Sequence, residues 1–313
     1  MLEIAIMLEG QNGLTWPRWQ KMAAAVEDLG FAGLYRSDHF TNADGPDLDS
    51  LELWVSLTWL ASHTRRIEFG PLVTPFSFRH PAFTARMASA VDDLSGGRLT
   101  LGVGAGWQER EHRHFGFDLL DVQRRFVRFE EGLQVVSRLL QSDQPVDFDG
   151  TCYHLEEAIL LPRPKRPGGP PVLIGGNGVQ RTLPLVARYA KEWNAVFLPA
   201  PEFAASNRRL DELLLAAGRK PAEVRRSQMT GLRFGRDQVE LNRKLGSQTA
   251  ASLRQRGMVV GTPAQVVDQL GELAQAGAQR VMLQWLDLDD LDGVEALAQT
   301  VLPKFQSARP SRS

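Results

Sequence analysis

The strongest constraint on this chain is an alternation along nearly all of its 313 residues: a short apolar run, then a stretch with helical spacing. Strands that alternate with helices form parallel sheets, because each helix returns the chain to the same edge of the sheet. A doubly wound sheet and a closed barrel both satisfy this rule, and the count of eight strand–helix units favours a (β/α)8 TIM barrel. The predicted strands lie at residues 2–8, 31–36, 67–70, 99–103, 171–174, 194–198, 227–233 and 280–285.

Two stretches do not fit the alternation, and we expect them to be insertions after the fourth and seventh strands. Residues 143–170 contain a short hairpin pattern and a cluster of prolines, and residues 235–261 are polar and expected to be helical or mobile. Loops of this kind often cover the active face of a barrel. Because no linker and no repeat of fixed period is present, we expect one barrel domain over residues 1–306 and a frayed tail over residues 307–313.

The helical stretches carry their own signals. In the third one, Phe83, Met87, Val91 and Leu94 follow the spacing of an amphipathic helix, which predicts that this stripe faces the core. Residues 262–265 (Thr-Pro-Ala-Gln) have the Thr-x-x-Gln form of a capping box, with proline at the first helical position. A helix is therefore predicted to begin there.

The charge balance argues against partners that would recognise a net positive charge on this protein. The chain has 36 Lys and Arg against 37 Asp and Glu, a formal net charge of -1, and no long basic block. Generic binding to nucleic acid or to an anionic membrane therefore has no electrostatic support. The single cysteine, Cys152, excludes an intrachain disulfide and a cysteine metal cluster. No signal-peptide pattern and no apolar stretch of the ~20 residues that a membrane span needs is present, so we expect a cytoplasmic protein without a membrane segment.

Reactive side chains in a parallel barrel follow the carboxyl ends of the strands, and Asp38-His39 after the second strand is the best acid–base candidate. A histidine titrates near neutrality and can hold or deliver a proton, and a neighbouring carboxylate can tune it. Adjacent residues on an extended chain point to opposite sides, so these two side chains need not touch. A histidine that is simply hydrogen-bonded to backbone groups at a strand end fits this position equally well.

The segment Gly175-Gly176-Asn177-Gly178 follows the fifth strand and precedes a helix. Glycines let backbone N–H groups approach an anion and a helix N-terminus adds a favourable dipole, so the segment predicts a phosphate site. A plain strand-to-helix turn would have the same composition. The lysine and the spacing of a Walker P-loop are missing, which argues against a nucleoside triphosphate.

A second glycine-rich segment, residues 102–107 (Gly-Val-Gly-Ala-Gly-Trp), does not have the G-x-G-x-x-G spacing of a dinucleotide-binding fold. Small residues here would let a planar ring lie close to the end of the fourth strand. Just beyond, Glu109, Glu111, His112 and His114 lack the spacing of a zinc site. We therefore expect a solvated start of a helix there and no metal.

Together, these strand ends resemble those of the luciferase-like superfamily, in particular its coenzyme F420-dependent branch. The resemblance covers the chain from residue 1 to about residue 305. It is carried by Ser37-Asp38-His39-Phe40, by residues 99–107 with 109–112, and by residues 172–178 with their continuation over 181–190. The order and spacing of these segments are specific, although each one alone is modest.

The resemblance implies that His39 lies over the reactive carbon of a deazaflavin and serves in proton transfer or in stabilising an intermediate. It places a non-proline cis peptide bond behind the ring at the end of the third strand, and the cofactor phosphate on the glycine segment after the fifth. Glu9, Glu109 and Trp285 would face the substrate. The implied cofactor-binding residues are Asp38, Leu72, Val73, Thr74, Gly104, Ala105, Gly106, Trp107, Gly175, Gly176, Asn177 and Gly178.

The implied activity is that of a coenzyme F420-dependent oxidoreductase, which transfers hydride between an organic substrate and C5 of the deazaflavin. Relatives in the superfamily bind FMN and act as monooxygenases that use O2 together with reduced flavin from a separate flavin reductase. An FMN-dependent monooxygenase of this kind is the alternative function. The Ser-Asp-His-Phe segment favours the deazaflavin. A non-catalytic flavin-binding subunit and an unrelated aldolase or metal hydrolase are further alternatives, although no lysine follows any predicted strand, as an aldolase would need. The resemblance also implies a homodimer and a small organic substrate whose identity stays open.

Overall fold

The computed structural model describes residues 2–305, and the predicted tail over residues 307–313 lies outside them. Among the described residues, no helix is both long and apolar enough to cross a membrane. The strands of this part of the chain are β1 (Glu3–Leu8), β2 (Gly33–Arg36), β3 (Glu68–Pro71), β4 (Thr74–Pro75), β5 (Leu101–Gly104), β6 (Val146–Asp149), β7 (His154–Ala158), β8 (Val172–Gly175), β9 (Glu192–Val196), β10 (Arg225–Phe234), β11 (Val259–Gly261) and β12 (Arg280–Gln284). Its α-helices are α1 (Trp16–Asp28), α2 (Leu53–His63), α3 (Pro81–Ser95), α4 (Glu109–Phe115), α5 (Val122–Gln141), α6 (Thr182–Tyr189), α7 (Ala200–Ala216), α8 (Gln238–Leu245), α9 (Ala250–Gln255), α10 (Pro263–Gln275) and α11 (Leu291–Thr300).

The main sheet is parallel, and its strands follow the order β3-β2-β1-β12-β10-β9-β8-β5-β4. Only Leu72 and Val73 separate β3 from β4, so these are two parts of the third strand and the two ends of the path meet. Phe69 of β3 also forms a parallel bridge with Leu99, just before β5. The predicted eight-stranded barrel is confirmed. Each predicted strand end lies within two residues of the observed one, except that the third strand continues through β4 to Pro75.

Both predicted insertions have secondary structure of their own. β6 and β7 pair as an antiparallel hairpin, as the pattern over residues 143–170 predicts. Residues 235–261 contain α8, α9 and β11, and β11 pairs with Leu232, Arg233 and Phe234 at the end of β10. β10 has 10 residues, whereas its barrel neighbours β9 and β12 have 5 each. The insertion therefore supports a strand that extends beyond its neighbours at the carboxyl end of the barrel.

The helix that begins after Thr262 follows its local sequence signals. Thr262 and Gln265 form the predicted capping box at the start of α10. The side chains of this capping box accept hydrogen bonds from backbone N–H groups that have no partner within the first turn of the helix. The buried face of α10 carries Val266, Leu270 and Leu273, which have the spacing of one side of a helix.

The predicted inner face of α3 is wrong. Phe83 and Leu94 are 66% and 53% exposed, and Val91 is the one member of the predicted stripe that is fully buried. The buried face instead carries small residues, among them Ala85 and Ala88. α3 lies against both α2 and α5, and small side chains allow this close approach of helix backbones. Packing distance, rather than the size of the apolar side chains, decides which face of α3 turns inward.

The barrel interior is layered, because alternate residues of each strand point inward. Parallel pairing of β1 with β12 sets Glu3 beside Arg280, Ala5 beside Met282 and Met7 beside Gln284. The middle layer is apolar and contains Ala5, Met7, Tyr35, Leu72, Leu173 and Met282. Below it, towards the amino ends of the strands, lie charged side chains that include Glu3 and Arg280. Above it, at the carboxyl ends, lies the rim that the sequence singles out for chemistry.

Candidate functional site

His39 lies just beyond β2 at the carboxyl end of the barrel and is held by Glu111 of α4. Its Nδ1 donates to Glu111 Oε1 at 2.8 Å, and the backbone N–H of Phe40 donates to Glu111 Oε2 at 2.9 Å. The Glu111 side chain is only 1% exposed, whereas that of His39 is 21% exposed. Two bonds to one buried carboxylate fix the imidazole and place a proton on Nδ1. Within residues 2–305 no partner is recorded for His39 Nε2, so this nitrogen is available to a ligand.

The charges around His39 favour its protonated form. Burial lowers the pKa of its imidazole, but the hydrogen bond to Glu111 and the negative charges of Glu111, Glu9 and Asp38 outweigh burial, and the net pKa is raised above its usual value. A raised pKa keeps the ring charged further into the neutral range. His39 is therefore a group that can donate a proton from Nε2 and take it back.

Trp107 stands next to this histidine. The two rings meet edge to face, with centroids 5.5 Å apart and planes at 84°. Trp107 is 61% exposed although it is large and apolar. An exposed aromatic ring beside a buried ion pair forms an apolar wall on which the flat body of a ligand can pack.

Asp38 points away from His39, as the alternation along an extended chain predicts. Its buried carboxylate accepts hydrogen bonds from Thr74 Oγ1 at 2.6 Å and from the guanidinium of Arg79. Burial raises the pKa of Asp38, although Arg79 and Thr74 oppose the shift. The carboxylate thus ties the end of β2 to the second half of the third strand, and fixes the position of Thr74.

Glu9 follows β1 and belongs to a polar chain that crosses the rim. Its two carboxylate oxygens accept from Gln284 Nε2 at 2.7 Å and from Gln11 Nε2 at 2.9 Å. Gln11 Oε1 in turn accepts from the hydroxyl of Ser37 at 2.7 Å. The chain joins the ends of β12, β1 and β2 into one network beside His39.

The third strand breaks at a non-proline cis peptide bond between Leu72 and Val73, in the segment where the resemblance places one. The side chain of Val73 then lies among glycines of the neighbouring strands. A Cβ atom on Gly104 would lie 2.6 Å from Val73 Cγ2, and one on Gly175 would lie 3.2 Å from Val73 Cγ1. Any side chain at Gly104 would therefore displace Val73. The glycines give the mouth of the barrel a smooth floor formed by Val73 and bare backbone.

The glycine segment after β8 is held rigidly by its neighbours. Asn177 pairs with the backbone of Val196, since its Nδ2 donates to the carbonyl oxygen at 2.7 Å and its Oδ1 accepts from the N–H at 2.9 Å. The N–H of Gly176 already donates to the carbonyl oxygen of Asn194. Among residues 2–305, no acceptor is recorded for the N–H groups of Asn177 and Gly178. These two donors, just before α6, are the ones left for an anion.

The sequence-predicted residues thus form three groups on the rim. His39, Trp107 and Glu9 surround one side, and Leu72, Val73, Thr74, Gly104 and Gly175 form the floor. Gly176, Asn177 and Gly178 border the floor at β8, and the loop residues Ala105 and Gly106 precede Trp107. Three residues lie apart from these groups. Asp38 is 6% exposed and bonds to Thr74 and Arg79. Glu109 is exposed on α4 with no hydrogen bond or ion pair recorded among the described residues, and Trp285 is only 5% exposed, with its Nε1 donating to the carbonyl oxygen of Asp287.

The start of α4 is not the solvated segment that the sequence suggested. Glu111 and His112 are buried at 1% and 2% exposure. His112 Nδ1 donates to the carbonyl oxygen of Gln108 at 2.7 Å, and its Nε2 lies 2.8 Å from Ser77 Oγ, so both ring nitrogens are occupied. The helical period gives the reason, because Gln108, Glu111 and His112 have the spacing of one helix face, and Glu109 lies outside it. Sequence reasoning missed Glu111, and this spacing was the signal that could have revealed it.

Comparison with known proteins assigns the chain to a family. Residues 3–255 match the family model described as luciferase-like monooxygenase. The chain is 35% identical over 162 residues to a 4-hydroxyprotoasukamycin monooxygenase from Streptomyces nodosus subsp. asukaensis, covering 52% of this chain and 42% of that protein. It is 32% identical over 171 residues to an F420-dependent glucose-6-phosphate dehydrogenase from Amycolatopsis mediterranei, covering 54% and 48%. The matched segments thus span about half the length of these relatives or less.

The fold is also that of a solved enzyme. An F420-dependent secondary alcohol dehydrogenase in complex with an F420–acetone adduct superimposes with a TM-score of 0.85 at 18% identity, covering 97% of this chain and 99% of that one. At this identity the likeness establishes the fold alone. The family match over most of the chain goes further. This chain belongs to the luciferase-like monooxygenase family, whose named members among its relatives are oxidoreductases and monooxygenases.

Proposed function

We propose that this chain is a coenzyme F420-dependent oxidoreductase that transfers hydride between a small organic substrate and the deazaflavin. The observation that carries the proposal is the His39–Glu111 pair, which presents Nε2 of a raised-pKa imidazole at the carboxyl end of the barrel. Removal of hydride from an alcohol also releases a proton, and the reverse reaction consumes one. A positioned imidazole next to a hydride acceptor supplies that proton transfer.

The floor of the mouth fits a flat tricyclic ring. Val73 and the bare backbone at Gly104 and Gly175 form a low apolar surface, and a single added Cβ at Gly104 would collide with Val73. The ring would rest on this floor, with His39 and Trp107 on the side away from it. Asp38 contributes indirectly, because it fixes Thr74 through the 2.6 Å hydrogen bond.

The phosphate of the cofactor would be held by the segment after β8. The N–H groups of Asn177 and Gly178, for which no acceptor is recorded among residues 2–305, precede α6, whose N-terminus adds a favourable dipole. The side chain of Asn177 sets the loop in place through Val196 and is not itself a phosphate ligand in this proposal. Gly176 contributes conformation, since its φ of 124° is rarely adopted by other residues.

When bound, F420 supplies the two-electron chemistry, accepting or returning a hydride at C5. The protein residues supply orientation and proton management. Glu111 holds His39 through Nδ1, so that Nε2 faces the mouth and exchanges the proton with the substrate oxygen. Trp107 excludes water on one side of the ring and gives the apolar part of the substrate a surface to pack on.

The alternative is an FMN-dependent monooxygenase that receives reduced flavin from a separate flavin reductase. The match at 35% identity to a monooxygenase favours it. The floor and the segment after β8 would accommodate the FMN ring and phosphate in the same way. In that case His39 would lie near the site where O2 reacts, and its protonated form would stabilise developing negative charge.

Cofactor titration distinguishes these two functions. Purified protein is titrated separately with F420, reduced F420, FMN and reduced FMN, and each dissociation constant is measured. We expect binding of both F420 forms at least about tenfold tighter than of either FMN form, which is about 1.4 kcal/mol. Selective binding of FMN would replace the first proposal by the alternative, and binding of neither would contradict both.

We further propose that the protein is a homodimer that buries the exposed apolar side chains of α2 and α3. Val55 on α2 and Phe83 on α3 are 57% and 66% exposed, and the two helices lie against each other. A contiguous exposed apolar patch, unlike single exposed apolar residues, marks a surface that pairs, and we propose that α2 and α3 form such a patch. Analytical ultracentrifugation tests this: the wild type should sediment as a dimer and Phe83→Glu as a monomer, and a monomeric wild type would contradict it.

A further inference from the structure

Within the part of the chain that the structure describes, a half-buried arginine on the rim of the barrel, away from the cofactor floor, has no recorded acidic partner. It is Arg233, near the end of β10. On this strand Ser227 bonds to Asn194 inside the barrel, and Met229 packs against the inner apolar cluster. Because inward residues recur at every second position, Arg233 points to the same interior side at the level of the rim.

Arg233 lines a cavity of about 270 Å³, together with Lys244, Gln284, Trp285 and Asp290 among others. The other charges that face this space already have partners. Lys244 Nζ lies 2.8 Å from Asp290 Oδ2 and 3.1 Å from Glu240 Oε1. The second oxygen of Asp290 accepts from the N–H of Gly293 at 2.8 Å. These groups compensate each other within the protein.

The guanidinium of Arg233 is not compensated in this way. Its one recorded bond runs from Nη1 to the carbonyl oxygen of the preceding Leu232, at 3.0 Å, and no ion pair is recorded for it among residues 2–305. The remaining acid at the cavity, Asp287, is solvent-exposed, and its Oδ1 accepts from the N–H of Asp289. A partly desolvated guanidinium with unused donors is the arrangement that favours bidentate binding of a carboxylate or phosphate.

The cavity is connected to the proposed reaction site by hydrogen bonds. Gln284 lines it and also donates to Glu9 at 2.7 Å. Glu9 is close enough to His39 for its charge to raise the pKa of the imidazole. Along the sheet, β2 and β10 are separated by β1 and β12, which is three interstrand steps or about 14 Å. A single small molecule can therefore reach from His39 to Arg233.

We propose that Arg233 recognises an anionic group, a carboxylate or a phosphate ester, on the organic substrate, at a distance of several bonds from the carbon that reacts beside His39. This inference rests on the proposed function, because His39 marks the reacting end. The substrate lies along the rim with its anion in the cavity beside Trp285. The guanidinium selects acids over neutral molecules of the same shape.

Paired ligands test this preference. The probes are straight-chain and phenyl-substituted carboxylic acids of four to eight chain carbons, each matched with the alcohol of the same skeleton and titrated calorimetrically into the full chain. We expect the wild type to bind at least one acid about tenfold or more tighter than its matched alcohol. Arg233→Gln should remove that preference, and Arg233→Lys should retain part of it. If no pair shows a preference in the wild type, or if Arg233→Gln leaves it unchanged, the proposal is wrong.

Arg236→Gln is the matched control. Arg236 lies three residues further on and is paired with Glu240 at 2.7 Å, and it does not line the cavity. Arg236→Gln removes the same unit of charge as Arg233→Gln. An equal loss of acid preference in Arg236→Gln would therefore indicate a net-charge effect and contradict a specific site at Arg233. The anion could also belong to the cofactor, so F420 and FMN are titrated into Arg233→Gln. Unchanged cofactor affinity is expected, and a tenfold loss would overturn the assignment to the substrate.

Failure of this inference and failure of the proposed function give different results. If the proposed function is wrong, the wild type binds FMN in place of F420, or binds neither cofactor. If only the inference about Arg233 is wrong, the wild type binds its cofactor, but acids and alcohols bind equally well.

Discussion

The two ends of this barrel contain similar kinds of residues and use them differently. At the amino end, Arg280 lies between Glu3 and Glu68, with its Nη2 at 2.6 Å and 2.7 Å from their carboxylates, and its Nη1 donates to the hydroxyl of Tyr35. At the carboxyl end, the imidazole of His39 has one acidic partner and one nitrogen left over, and Arg233 has no ion pair recorded in the described chain.

The larger of the two cavities is at the end where the charges are paired. The amino end opens into a space of about 510 Å³, lined by Glu68, Glu192 and Arg225 among others, against about 270 Å³ beside Trp285. On the proposed function, cavity volume does not locate the chemistry of this molecule. Uncompensated donors and bare backbone do, because such groups gain most from a ligand.

The pKa shifts show the same contrast. Burial raises the pKa of Glu192, although Arg280 opposes it, and the pKa of Arg280 is itself raised well above its ordinary value by Tyr35, Glu192 and the other acids despite the opposing effect of burial. These groups stabilise one another, although Glu192 Oε1 is buried with no hydrogen-bond partner recorded among the described residues. The raised pKa of His39 belongs to a group with 21% exposure, which can exchange its proton.

The largest expected effect comes from breaking the amino-terminal network. Arg280→Met would leave the buried carboxylate of Glu192 without the buried cation beside it, and we expect a loss of about 3–5 kcal/mol in the free energy of unfolding. Urea denaturation followed by circular dichroism measures it. The exposed pair of Arg18 and Asp289 is the control, since Arg18→Ala should leave the free energy of unfolding nearly unchanged. A loss below about 1 kcal/mol for Arg280→Met would contradict the structural role of this network.

A smaller effect on stability, but a large one on ligand binding, is expected at the carboxyl end. Gly104→Ala places a Cβ at 2.6 Å from Val73 Cγ2, so Val73 must move. We expect a loss of about 1–3 kcal/mol in stability, and a loss of about tenfold or more in cofactor affinity, about 1.4 kcal/mol. A Cβ atom on Gly271 in α10 would meet no other described residue within 4 Å, so Gly271→Ala should leave cofactor affinity unchanged. Equal cofactor affinity in both variants would refute the floor formed by Val73.

The smallest expected effect comes from removing a single charge, that of Glu111, at the carboxyl end of the barrel. Glu111→Gln removes the acid that raises the pKa of His39, while burial, which lowers that pKa, remains. We expect the pKa of His39, followed by NMR, to be lower than in the wild type, although Glu9 and Asp38 still raise it. Glu109→Gln makes the same substitution at an exposed position of the same helix and should leave the pKa of His39 in place. A similar shift in both variants would show that Glu111 has no specific role.

The same variant has a pH-dependent effect on stability. Because the folded pKa of His39 is raised, the stabilisation from Glu111 is fully present below about pH 6.5, the unfolded value, and is lost as the pH rises through the folded pKa. The difference in unfolding free energy between wild type and Glu111→Gln should therefore be largest in mild acid and shrink above neutrality. Denaturation curves at several pH values test this, and a difference that grows with pH would have the wrong sign.

The sequence predicts the barrel and the location of its rim, because strand–helix alternation and inward–outward parity depend on local patterns. It fails where the outcome depends on packing between elements. Phe83 and Leu94 have correct helical spacing for an inner face, but the close approach of α2 and α5 leaves room only for small side chains. Apolar spacing alone does not report the distance to the next helix.

The sequence also predicts only some of the residues of the candidate site. His39 and the glycines stand at strand ends and can be found from their position, whereas the break at Leu72-Val73 follows only from the family resemblance. Glu111 was missed because it reaches His39 across 72 residues, from a helix whose composition suggests a solvated surface. Arg233 was missed because its significance lies in the absence of a recorded partner within the described residues, which only the three-dimensional arrangement reveals.

The most direct test of the central claim is an NMR titration of the imidazole of His39 with F420, with its resonances assigned by their loss in His39→Asn. If the carboxyl end of the barrel holds the cofactor, the signals of His39 and the indole of Trp107 shift with F420 concentration, and the ring signals of Phe31, which precedes β2 at the amino end of the barrel, do not. If His39 does not respond, or if Phe31 responds in its place, the assignment of chemistry to the carboxyl end is wrong.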